Sequence, residues 1–171
     1  MVEKRVNFSI RSFRELFMLL KQKSLKEIFL GHKVVLGKVE QKLLQWIKNH
    51  PDRFRRQGGR AGQFVKLNLL HKGAGTVYLL PNKLTGHNAE SLLLFESEVK
   101  IQPGPDLYVY LSTKAAVQNS LGKIYNLGLL KGTAGGQSYV ISKKIKELQK
   151  YNSAVIYCKK FKVPFTYARL K

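Results

Sequence analysis

The sequence predicts a mainly β protein: an antiparallel β-sandwich domain over residues 62–171, preceded by a small basic α-helical extension and linker over residues 1–61. Three observations predict it. From Phe64 onward apolar residues recur at period two, and turn-forming Gly, Pro, Asn and Asp separate those runs. Before Arg53 the apolar spacing is instead three and four, behind serine capping boxes.

In the extension, Ser12-Phe13-Arg14-Glu15 has the form of a capping box, and Phe13, Leu16, Phe17 and Leu20 then fall on one helical stripe. A second box, Ser24-Leu25-Lys26-Glu27, restarts a helix before Ile28 and Phe29. A third helix is expected from about Lys38 to Asn49, with Val39, Leu43, Trp46 and Ile47 inward and Pro51 closing it. These helices read as a lid or small bundle packed on the domain, or as basic amphipathic segments for an anionic membrane or nucleic acid. Arg53 to Gly62, arginines set among glycines, reads as a solvated linker or as a flexible contact for RNA phosphates.

The β region opens with Val65, Leu67, Leu69 and His71 on one expected strand face. Further strands are expected at Thr76–Leu80, Leu92–Phe95, Leu107–Ser112, Ser138–Ser142, Ala154–Cys158 and Val163–Leu170, about seven in all, with a short helix in Lys143–Lys150. The central stretch is Gly104-Pro105-Asp106-Leu107-Tyr108-Val109-Tyr110-Leu111-Ser112. A proline-glycine turn runs there into a strand with Leu107, Val109 and Leu111 on one face and Tyr108 and Tyr110 on the other. The tyrosines suit rim packing or ligand stacking, and Asp106 suits turn formation or contact with a cation or partner.

Thirty-one basic against ten acidic residues give a net charge of +21. That favours an anionic surface as partner, whether membrane or polyanion. Residues 1–63 hold 15 basic and 5 acidic residues and 64–171 hold 16 and 5, so the excess is spread through the chain. Diffuse charge without a binding motif licenses non-specific attraction and no sequence-specific reading of nucleic acid. One cysteine excludes an internal disulfide framework and leaves a free thiol, an intermolecular bridge or a buried structural residue. The longest uncharged run, Gly132 to Ser142, is eleven residues, so no transmembrane helix is expected. Leu16 to Leu20 is too short for a signal-peptide core, so the chain reads as intracellular or as lacking its export signal.

Cys158 shares a strand face with Ala154 and Ile156, with Lys160 expected next on that face. Two residues along a strand is about 7 Å, near enough for an ammonium to favour the thiolate if solvent is partly excluded. His71 could meet Cys158 to hold a metal or poise the thiol, or be a satisfied structural histidine. Lys131 to Gly136 lacks the features of a phosphate-binding or dinucleotide loop, and no Gly-x-Ser-x-Gly element occurs. Glu96 and Glu98 read as solvated glutamates rather than a hydrolase pair.

Four ordered elements make the chain from about residue 62 to 171 resemble the electron-transfer DM-thirteen domain family. They are Gly62, Phe64, His71 and Gly75; Gly104 to Ser112; Leu127 to Ile141; and Ala154 to Leu170 with its cysteine. The resemblance implies a redox-associated accessory domain in which Cys158 is the reactive centre, Lys160 and His71 are candidate helpers, and a redox protein is the partner. The competing class is a non-catalytic adhesion or interaction module with a structural cysteine, its partner met through Tyr108, Tyr110, Asp106 and the basic surface. The resemblance also implies a cell-envelope or extracellular setting, at odds with the intracellular reading drawn from the short Leu16–Leu20 run. It names no cofactor, metal, electron donor or acceptor.

Overall fold

Alternation along Leu107–Ser112 sends Leu107, Val109 and Leu111 into the largest core cluster and Tyr108 and Tyr110 to the opposite face. The protein, seen in a computed structural model, is described over residues 33–85, 90–118, 120–142 and 145–171, so the two capping boxes and the helices expected from them lie outside the described residues. The chain runs through β1 (Lys33–Val34), α1 (Lys38–Asn49), α2 (Pro51–Arg56), β2 (Arg60–Gln63), β3 (Gly73–Ala74) and β4 (Thr76–Leu80). It continues through α3 (Asn82–Thr85), β5 (Ser91–Phe95), β6 (Lys100–Ile101), β7 (Leu107–Ser112), β8 (Ile124–Leu129) and β9 (Ala134–Gly135). It ends with β10 (Gln137–Ile141), α4 (Ile145–Leu148), β11 (Ser153–Cys158) and β12 (Val163–Arg169).

Two antiparallel four-stranded sheets, ordered β10-β5-β4-β2 and β12-β11-β7-β8, face each other across that core. A small third sheet, β1-β9-β6-β3, contains a parallel pair, β1 with β9. The core is built from Val77, Leu79, Leu93 and Phe95 on one side and Val109, Leu111, Ala154 and Ile156 on the other. Phe95 stacks edge-on to Phe64 at 5.2 Å. The sandwich is closed along one side, where Ala61 and Lys171 exchange backbone hydrogen bonds of 3.0 and 2.9 Å. There a Cβ on Gly62 would stand 2.3 Å from the Arg169 carbonyl oxygen, so only glycine lets the two edges approach.

Strand β5, inside the first sheet, is buried on both faces, which is why it reads Ser-Leu-Leu-Leu-Phe without alternation. Its outer face, with Leu80, Leu92 and Leu94, carries Leu44 and Ile47 of α1 and Phe54 of α2. An ion pair between Lys48 and the mostly buried Glu96 pins α1 there. Glu96 is therefore a structural anchor, neither solvated nor half of a carboxylate pair.

Several expectations need correction. Val39, expected inward, is 59% exposed, and Leu44 takes its place facing the sheet. Pro51 ends α1 but also begins α2, where a proline without an N–H fits the first turn. Arg53 to Gly62 is no linker: Phe54 is buried, and the Arg60 guanidinium donates to the Leu148 and Tyr151 carbonyls at 2.7 Å each. Burial lowers the Arg60 pKa. Residues 33–61 accordingly belong to the compact unit that holds the strands. Residues 64–71 form no strand, because the Asn68 side-chain oxygen accepts the N–H groups of Leu70 and His71 at 2.9 and 2.8 Å and turns the chain.

Two outcomes test this arrangement. Phe95→Ala leaves a void between Phe64 and Tyr139 and is expected to cost about 3–5 kcal/mol in urea unfolding. The hydrogen bond that Lys48 donates to Glu96, followed by the Glu96 charge, raises the Lys48 pKa above 10.5. A raised cation pKa gives stability that is complete below the unfolded value and lost as pH climbs through the folded one. Melting temperature is therefore expected to fall more steeply above pH 10.5 in the native protein than in Lys48→Met, as followed by circular dichroism.

Candidate functional site

Cys158 is the last residue of β11, paired with Leu107 on one side and Val163 on the other. Its alternation with Ala154 and Ile156 turns it inward, and it is fully buried. Beyond it the chain leaves the sheet, turns through Lys159–Lys162 with Lys162 at a left-handed φ of 56°, and returns as β12. Lys160 is thus in the turn and does not extend the cysteine's strand face; its ammonium lies 5.8 Å from the Phe161 ring centre.

The turn before β7 forms the other wall of the site. The Cys158 thiol donates to the Pro105 carbonyl at 3.0 Å, and the Phe161 N–H points to the sulfur at 3.5 Å. Donation to a carbonyl is an interaction that only the protonated thiol can make. Asp106 adopts a left-handed φ of 55°, tolerable for Asp, and its carbonyl accepts the Lys159 N–H at 3.1 Å. The role of Asp106 seen here is turn geometry, and its side chain is exposed.

Phe165 links this roof to His71. In the ladder with β11 the partner of Ile156 is Thr166 and that of Tyr157 is Pro164, which leaves Phe165 as the extra residue of a β-bulge. Its ring lies 4.6 Å from the His71 ring centre. On Gly104 an added Cβ would stand 2.4 Å from the same ring, so the glycine makes room for Phe165. Among the described residues no hydrogen bond joins His71 to Cys158: His71 Nδ1 faces the Asn68 amide at 3.2 Å, and its connection to the thiol's surroundings passes through Phe165. No group of three His, Cys, Asp or Glu side chains that could hold a metal occurs among the described residues.

Tyr108 and Tyr110 lie on the outer face of the second sheet, with ring centres 6.3 Å apart. Tyr157 stands opposite Tyr108 across the strands and 5.7 Å from Tyr110, and Tyr167 joins the same cluster under Val117 and Leu121. Burial raises the Tyr110 pKa. The Lys159 ammonium sits over the Tyr108 ring, 3.5 Å from its centre, a cation–π contact. Sequence reasoning missed Lys159, Phe165 and the Pro105 carbonyl. Tyr157 and Tyr167 carried a period-two signal that could have placed them with Tyr108; a backbone carbonyl carries none.

A family model described as Electron transfer DM13 matches residues 63–170. The chain belongs to this electron-transfer DM-thirteen family. No curated protein and no solved structure matches the chain. No helix among the described residues is long and apolar enough to cross a membrane.

The close fit at Gly104 yields a test. Gly104→Ala forces the Phe165 ring against His71 and is expected to cost about 1–3 kcal/mol of stability. It should also speed alkylation of Cys158 in the folded state, read by mass spectrometry. An unchanged stability and labelling rate would mean the turn does not press on Phe165.

Proposed function

We propose that the domain is a redox-associated electron-transfer accessory module whose reactive group is the Cys158 thiol. Two turns, 103–106 and 159–162, close over the thiol until a redox partner protein opens them. The observation carrying this reading is that Pro105 holds the thiol of a cysteine at the end of a strand while its neighbour Gly104 packs on Phe165, whose ring lies against His71, all four at positions of the family resemblance. A thiol so placed can be reached by displacing turn backbone, which costs less than separating the sheets. The chemistry is thiol–disulfide exchange: the Cys158 sulfur gives up its proton and bonds to one sulfur of a partner disulfide. The partner's other sulfur leaves as a thiol carrying a proton and the product is a mixed disulfide; because the chain has one cysteine, a second thiol from outside it resolves that bond, and only then have two electrons passed to the partner. Lys160, in the turn that closes over the strand end, is the candidate helper that meets the thiol once the roof is open.

One observation favours a second reading, that of an interaction module with a structural cysteine. The sulfur is fully buried and its proton is engaged by Pro105. The tyrosine face and the basic surface then meet the partner.

Alkylation of the single cysteine separates the two. Under the redox reading, labelling proceeds in native buffer, quickens with pH, and is unaffected by denaturant below the unfolding transition. Labelling that follows the global unfolding curve would sink that reading and leave the second.

A further inference from the structure

Three connecting segments meet at the end of the sandwich where β11 stops. Residues 66–72 are tied to the turn before β7 by the Gln102 N–H donating to the Lys72 carbonyl at 2.9 Å, and by His71 on Phe165. That turn is tied to residues 159–162 through the Asp106 carbonyl and Lys159 N–H. The tips carry large apolar side chains left largely in solvent: Leu69 is 79% exposed, Leu70 73% and Phe161 59%. Leaving such residues in water is unfavourable, and here they stand at loop tips instead of closing a groove.

The charges around them have one sign. Lys66 and Lys72 flank the leucines and Lys159, Lys160 and Lys162 flank the phenylalanine, all exposed. Across the three segments Asp106 is the one acid. Lysines support long-range attraction without base-specific geometry, and separate apolar tips can enter a headgroup layer independently. No arginine occurs in these segments, and Phe161 alone gives no platform on which successive bases could stack.

From this juxtaposition we infer that the end of the sandwich formed by residues 66–72, 102–106 and 159–162 is a docking surface for an anionic lipid bilayer. Leu69, Leu70 and Phe161 insert at the headgroup boundary, and Lys66, Lys72, Lys160 and Lys162 face the lipid charges. This inference is independent of any reaction at Cys158.

Co-sedimentation of the full chain with phosphatidylcholine vesicles, with and without phosphatidylserine, tests it. Binding is expected only to the anionic vesicles. Leu69→Ser and Leu70→Ser should each weaken it about tenfold. Lys66→Gln and Lys160→Gln should each weaken it about fivefold at low salt. Phe161→Ser supplies a second apolar test on a different loop. Exposure of these sites predicts unchanged melting curves, and Val39→Ser, on the distant helix α1, should bind as the native protein does. Equal binding to neutral vesicles would overturn the inference, as would apolar-tip variants that bind normally or an equal loss in Val39→Ser. Tighter binding to RNA than to anionic vesicles, insensitive to the three apolar tips, would assign the surface to a polyanion instead.

Discussion

Six consecutive residue pairs set β7 against β11, from Ser112 opposite Ser153 to Leu107 opposite Cys158. A slip of one residue would exchange the faces, sending Tyr108 and Tyr110 into the core and Val109 and Leu111 to the outside. The register also decides what lies over the cysteine. Because Leu107 ends opposite Cys158, the residues just before it, Pro105 and Asp106, must cross the strand end, where their carbonyls take the thiol and the Lys159 N–H. The roof of the site is a consequence of sheet pairing, and no separate element builds it.

The two large sheets differ because their outer faces are covered differently. Helices cover the first, so β5 is apolar throughout and Glu96 is drawn into an ion pair at a largely dry boundary. A loop carrying Val117 and Leu121 covers the second, so its outer face holds tyrosines, which can bury a ring and still offer the hydroxyl to a polar partner. Gln118 donating to the Tyr167 hydroxyl at 3.2 Å shows that compromise.

What the sequence made legible follows from how local each signal is. The strand at Leu107–Ser112 was readable to its last residue, since a turn and five alternations lie within it. The inward face of Cys158 was readable from Ala154 and Ile156 for the same reason. The strand expected over 64–71 was not, because one asparagine side chain outweighs the apolar alternation around it. The arginines at 53–60 misled in the opposite way: a charged, glycine-rich string looks solvated until a distant pair of carbonyls, those of Leu148 and Tyr151, gives Arg60 an interior partner. Lys160 was misplaced because alternation was carried past a strand end that only the return of β12 defines.

The same turns serve two ends of the site, and this constrains how it can work. The segment whose carbonyl holds the Cys158 proton also binds, through Gln102 and Asp106, the two lysine-flanked tips on either side. Both tips are thus joined to backbone hydrogen bonds that lie close to the thiol and outside the sheet ladders. The Phe165 bulge is the element best placed to absorb a displacement there: it stands outside the ladder, and contacts from Gly104 and His71, rather than strand pairing, hold its ring. The roof over the thiol and the basic end of the sandwich therefore share the same few hydrogen bonds, which belong to the turn before β7 and not to the core.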